Sequence, residues 1–216
     1  MTFDALKPLL GLALKNPRAE AQHVIAMNLP NQVLWIALTL TAVVTSLFAS
    51  ARLLAFPLSQ AQIEILSQTP QGQQTIAMYA IFAEMPMFFT MIVWGLSVTV
   101  VFMLYWVGKA LQGQGSLSDV LGIFTLLQVV SFFISLCLFV VSLVIPPLAG
   151  LGSIMFFGWT LWAIVNLLDV AHKYENPFKS LGVLVAAVVG TFVGMSIIMT
   201  VIAAVTVGFI GAPGNV

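Results

Sequence analysis

Charge is what this sequence has least of: Asp, Glu, Lys and Arg make up 6% of 216 residues, seven basic and seven acidic. Soluble domains carry roughly 25% charged residues, so a water-covered globular surface is excluded. The even balance also leaves no basic field, and nucleic acid is excluded as a partner because each phosphate contact needs a cation. Cysteine is nearly absent. Cys137, the single one, sits in "SFFISLCLFVVSLVI" with no second thiol for a disulfide and no nearby His for a metal, and reads as a small packing residue. The two histidines, His23 and His172, are far apart and unaccompanied, so no metal site is expected. There is no Ser/His/Asp set, no H-E-x-x-H and no pair of neighbouring carboxylates. Catalysis needs an activated nucleophile or an acid and base held together, and the chain reads as a non-enzyme without a cofactor.

What is there instead is hydrocarbon. Hydrophobic residues make up 61% of the chain and mean hydropathy is +1.10. A bilayer core about 30 Å thick needs roughly 20 apolar residues as helix, with every backbone polar group satisfied inside the segment. Five stretches reach that length: Val33 to Phe56, Tyr79 to Val107, Leu117 to Ile145, Leu148 to Leu168 and Leu181 to Ile210. A membrane β-barrel would alternate apolar and polar residues, and "VVSLVI" and "LVAAVV" do not. The expected fold is all-α: a polytopic membrane protein of five transmembrane helices. Residues 1–30 form a cytoplasmic or interfacial segment and 31–216 the transmembrane domain.

Basic residues in short loops stay on the cytoplasmic side. Lys7, Lys15 and Arg18 precede the first span, Lys109 follows the second, and Lys173 and Lys179 lie between the fourth and fifth; only Arg52 falls at the other end. This bias places the amino terminus in the cytoplasm and the carboxyl terminus, with its uncharged "GAPGNV", on the far side. The early run "LLGLAL" is shorter than a secretory signal core and lacks a cleavage site, so it reads as retained. In "KNPRAEAQHVIAM" Asn16 is placed as an N-cap and Pro17 as the first helical residue, with Ala21, Val24, Ile25 and Leu29 at helical spacing. This short amphipathic helix is expected to lie on the inner surface with Arg18 toward headgroups, or to pack on the bundle's own inner end.

The stretch "GKALQGQGSLSDVL" contains a G-x-G near a lysine. A phosphate-binding loop needs G-x-x-x-x-G-K-[ST] between strand and helix; here the lysine precedes the glycines and a membrane helix replaces the strand. The turn reading covers every residue: Gly113 and Gly115 let the chain leave one helix, and Ser116 with Asp119 forms a capping box that starts the third span.

That same stretch, continued as "GKALQGQGSLSDVLGIFTLLQVV", resembles the inner loop and following helix of the Yip membrane protein family. "NPRAEAQHVIAMNLPNQVLWIALTLTAVVTSL" and "WTLWAIVNLLDVAHKYENPFKSLGVLVAAVVG" are similar to its bacterial branch. The resemblance implies five spans, a cytoplasmic amino terminus and a link to membrane trafficking and shaping. Eukaryotic members take their name from interaction with Ypt/Rab GTPases and carry a D-L-Y-G-P type motif in a longer amino-terminal region. Nothing before Val33 matches it, so GTPase binding is not carried over.

Candidate sites are few. Arg52 and Glu84 fall near the outer boundary, where they either pair or are solvated separately. Lys109, Asp119, Asp169, His172 and Lys173 gather at the inner boundary, as a headgroup-binding or proton-sensitive cluster or as ordinary helix-end charges. Gly190 and Gly194 share one face of the fifth span, where another helix backbone can approach closely. Thr39, Thr41, Thr45, Ser131 and Ser135 either line a polar track or bond their own helices. Trp35 and Trp106 fit an interfacial belt, while Trp94, Trp159 and Trp162 lie deeper. Three functional readings follow: a Yip-type adaptor or organiser of the cytoplasmic membrane, contacting lipids and protein partners or a second copy of itself; a lipid scramblase or small-solute transporter; and an accessory subunit of a larger complex.

Overall fold

The computed structural model describes residues 11–12 and 14–210. Lys7, part of "LLGLAL" and the "GAPGNV" tail lie outside the described residues. Among the described residues the regular structure is helical: α1 Pro17–Ala26, α2 Asn31–Ala55, α3 Gln60–Ser67, α4 Pro70–Glu84, α5 Pro86–Ala110, α6 Leu117–Val144, α7 Pro146–His172 and α8 Pro177–Ile210. Five of these, α2, α5, α6, α7 and α8, are long and apolar enough to cross a membrane, as the hydropathy pattern predicts.

Proline sets the punctuation. Five of these helices begin with it, at Pro17, Pro70, Pro86, Pro146 and Pro177. Proline lacks an N–H, which the first turn does not use, and its ring pushes the preceding residue out of the helical region. Met85 (φ −120, ψ 66) and Ile145 (φ −138, ψ 81) take that extended role. Hence α6 and α7 are joined by one non-helical residue and pack against each other over much of their length.

The same device corrects the second span. A single helix from Tyr79 is expected from hydropathy, yet Pro86 interrupts it, and Tyr79 belongs to α4, which packs beside α2. The segment between the first two spans is thus a helical hairpin, α3 and α4. Ser59 and Gln62 make a reciprocal capping box at α3, and Thr69 caps α4 through the Gly72 N–H. The Tyr79 hydroxyl donates to the carbonyls of Leu53 and Phe56 at the end of α2, tying hairpin to span.

The large buried side chains gather at one end of the bundle, called proximal here. Leu38, Leu104, Leu121, Leu168 and Val183 are fully or almost fully buried, and all lie in the proximal halves of their helices. At the distal end, beneath the α3–α4 hairpin, Val140, Leu143, Val144, Leu151 and Met155 are more than half exposed. Those surfaces suit acyl chains. Helix α1 packs on the proximal parts of α7 and α6, with Pro17, Glu20 and Ala21 buried. Just before it, the Leu14 carbonyl accepts from Trp159 Nε1 of α7 at 3.1 Å.

Candidate functional site

The proximal end holds a polar knot built from α1, the α5–α6 turn, the end of α7 and the start of α8. Asp169 is its centre. Its side chain is wholly buried, yet it accepts from the Arg18 guanidinium, from the Asn176 N–H at 2.9 Å and from the Ser180 hydroxyl at 3.3 Å. A buried carboxylate is costly unless paired and hydrogen-bonded, and these donors come from two distant stretches of chain, α1 and the α7–α8 turn with the start of α8. Arg18 thus reaches a buried partner while its side chain stays 45% exposed, and α1 packs on the end of the bundle, the second of its two expected placements and not the surface-lying one. Among the described residues this is the one ion pair.

Beside Asp169, His172 occupies a socket made by three glycines. A Cβ at Gly108 would lie 2.2 Å from its ring, at Gly113 2.6 Å and at Gly115 2.9 Å from its Nδ1. Tyr174 stacks on the imidazole with centroids 5.4 Å apart and donates its hydroxyl to the Gly108 carbonyl. The Gln114 N–H donates to the His172 carbonyl at 3.0 Å, and the Gly113 N–H to the Gly108 carbonyl at 2.8 Å. Burial pushes the Tyr174 phenol above its ordinary range. Both His172 ring nitrogens lack hydrogen-bond partners among the described residues.

Of the five inner-boundary residues, the structure brings only Asp169 and His172 into the interior. Lys109 is exposed and its Nζ lies 6.0 Å from the Tyr105 ring centroid. Asp119 closes the capping box with Ser116 that the sequence shows. Lys173 is exposed and ends α7 in the left-handed region, φ 55 and ψ 42. The five do not converge on one open site.

The outer-boundary residues also separate. Arg52 and Glu84 form no ion pair; the Arg52 guanidinium instead lies over the Phe139 ring, 5.3 Å from its centroid. Gly190 and Gly194 face Met103 of α5. Cβ atoms there would sit 3.6 and 4.0 Å from its side chain, ordinary contact distances, so a side chain and not a close backbone meets this face. Cys137 is exposed, lining an apolar groove between α6 and α7 with Leu138 and Gly152, and so is not a buried packing residue. The Thr39 and Thr41 hydroxyls bond their own helix at Trp35 and Ala37.

Sequence reasoning missed several residues. Glu20 is 1% exposed and neither carboxylate oxygen has a partner among the described residues. Burial raises its carboxyl above the usual range, and His23 pulls it partly back. Gly108, Ser180 and Tyr174 carried no signal as parts of a site, although the close spacing of Gly108, Gly113 and Gly115 was visible. Two polar links between spans were also missed: Trp94 Nε1 to Thr39 Oγ1 at 2.9 Å and Gln128 Nε2 to Ser97 Oγ at 3.2 Å.

The arrangement joins helices from distant parts of the chain. Among the described residues no group of three or more His, Cys, Asp or Glu could hold a metal. No curated protein and no solved structure matches the chain. The model of the Yip1 domain matches residues 11–198, and this multi-pass membrane protein belongs to the Yip1 domain family.

Proposed function

We propose that the protein works without catalysis, as an adaptor or organiser of a bacterial cytoplasmic membrane, its amino terminus in the cytoplasm and its carboxyl terminus on the far side. One observation carries this reading. Asp169, the buried carboxylate at the proximal end, is committed to Arg18, Asn176 and Ser180, so the chemistry-bearing group serves as a joint that fixes α1, the α7–α8 turn and the start of α8 into one face. A rigid face of this kind suits the binding of membrane partners, whether other proteins or a second copy of this chain.

Transport of solute or lipid along a hydroxyl track is less well supported. Thr39 and Thr41, two of the hydroxyls expected to line it, each donate to a carbonyl four residues earlier in their own helix, as do Ser46, Thr99, Thr160 and Thr191, which commits these donors within their own helices. The adaptor reading is tested by crosslinking in native membranes followed by co-purification in mild detergent. A reproducible partner or self-crosslink mapping to α1 or to the turns at 111–116 and 173–176 is expected. Recovery of the uncrosslinked single chain alone would reject it. A native-gel mass far above a dimer would favour the accessory-subunit form of the same idea.

A further inference from the structure

At the opposite end, the α3–α4 hairpin covers a cavity of about 600 Å³ between the last turns of α2 and α6. That size falls within the roughly 300 to 1,000 Å³ of small-ligand sites. Arg52 is the one charged residue lining it; Gln62, Tyr79 and Ser142 are polar, and aliphatic and aromatic side chains supply the rest.

We propose that this cavity binds the phosphate of an anionic phospholipid, with Arg52 as the recognising group. Phe139 orients the guanidinium from below, 5.3 Å from centroid to Cζ. Phe48 and Phe56 pack edge-on against Phe139 at 5.5 and 5.8 Å. A cation–π contact uses the flat face of the guanidinium, whereas its five N–H donors lie at the rim, in the plane, where they match two phosphate oxygens at once. No carboxylate pairs with Arg52 among the described residues, so this charge has no internal counterion.

The lining chemistry selects the occupant. No Asp or Glu borders the cavity, so the ammonium of a zwitterionic headgroup would meet a lone cation with nothing to compensate it. A headgroup with net negative charge fits. Phe56 and Leu143 line the cavity and are 52% and 55% exposed, giving acyl chains an apolar path from the site into the bilayer. A soluble anion would gain nothing from those surfaces. The proposal stands apart from the adaptor reading: failure to capture a protein partner leaves it untouched.

The test uses the full chain, delipidated in mild detergent and titrated in native mass spectrometry with phosphatidylglycerol, phosphatidylcholine of the same acyl chains, and inorganic phosphate. Phosphatidylglycerol is expected to bind about tenfold more tightly than phosphatidylcholine, and Arg52→Gln to lose about tenfold for phosphatidylglycerol alone, the scale of a charge-assisted hydrogen bond. Arg52→Lys keeps the charge without the fork and is expected to fall between. Phe139→Leu keeps Arg52 but removes its support, with a few-fold loss expected. Unchanged phosphatidylglycerol binding in Arg52→Gln, or equal binding of the two lipids, would overturn the proposal. Inorganic phosphate competing at concentrations equal to phosphatidylglycerol would assign the site to a soluble anion and overturn it too. Should Arg52→Gln fail to fold, wild-type behaviour of both Arg52→Lys and Phe139→Leu has the same force.

Discussion

Gly108 lies against the imidazole of His172 so closely that a methyl group on it would sit 2.2 Å from Cε1 and Nε2 of the ring. The ring is fully buried and stacked on Tyr174, so it cannot swing away without opening the turn that follows α5.

Gly108→Ala is therefore expected to destabilise the protein by about 1–3 kcal/mol, the usual cost of overpacking a tight interior. His172→Ala alone leaves a cavity and costs a similar amount. The two residues share one space, so the double variant should lose clearly less than the two single losses added together. Thermal unfolding in detergent reads all three; simple additivity would show that the contact is not what limits stability.

Asp169→Asn keeps the shape of the knot but removes the charge facing Arg18. Arg18 is 45% exposed and can rehydrate, so the loss should fall near the low end of about 1.5–3 kcal/mol for a charged hydrogen bond. Asp169→Ala also strands the Asn176 N–H and the Ser180 hydroxyl and should cost more. Limited trypsin digestion at Arg18 provides a local readout: cleavage should accelerate in both variants as α1 loosens.

Burial holds the Glu20 carboxyl above its ordinary range, against a smaller opposing pull from His23. A raised value means the folded state binds the proton more tightly than the unfolded chain does. Its contribution is complete below the usual glutamate range and fades as pH rises through the raised value. The melting temperature should thus decline across that interval, and Glu20→Gln should flatten the decline and raise stability at neutral pH. An identical pH profile in Glu20→Gln would remove Glu20 as the cause.

Tyr79→Phe deletes the hydroxyl that joins α4 to the Leu53 and Phe56 carbonyls. About 1 kcal/mol should be lost, with faster proteolysis inside the α3–α4 hairpin and no change at Arg18, because the hydroxyl's partners Leu53 and Phe56 lie at the opposite end of α2 from α1.

Sidedness can be checked by single-cysteine labelling in a Cys137→Ser background. Cysteines replacing Gln112 and Glu175 should react with an impermeant reagent only from the cytoplasmic side and a cysteine replacing Gln68 only from the far side. The reverse pattern would overturn the orientation, and labelling of all three from the same side would overturn the arrangement of the spans.

How much of this was legible in the sequence depends on the range of the interaction concerned. The five spans, the Asn16 and Ser116 caps and the Asp119 capping box follow from hydropathy and neighbours within one helical turn, and each was readable locally. The break before Pro86 was also local in cause, but a window average over apolar residues hides a single missing N–H. What only the tertiary structure decided is who meets whom. Arg18 and Asp169 are 151 residues apart, and nothing in their surroundings says that α1 docks on α7 and not on headgroups. Nor does the run of Gly108, Gly113 and Gly115 disclose that its open space is filled by a histidine from another helix. In a chain this poor in charge, the sequence by itself determined that lipid is the solvent, because hydrocarbon burial depends on composition summed along each helix. The polar contacts depend on geometry at a few ångströms between distant segments, and that geometry exists only once the helices have packed.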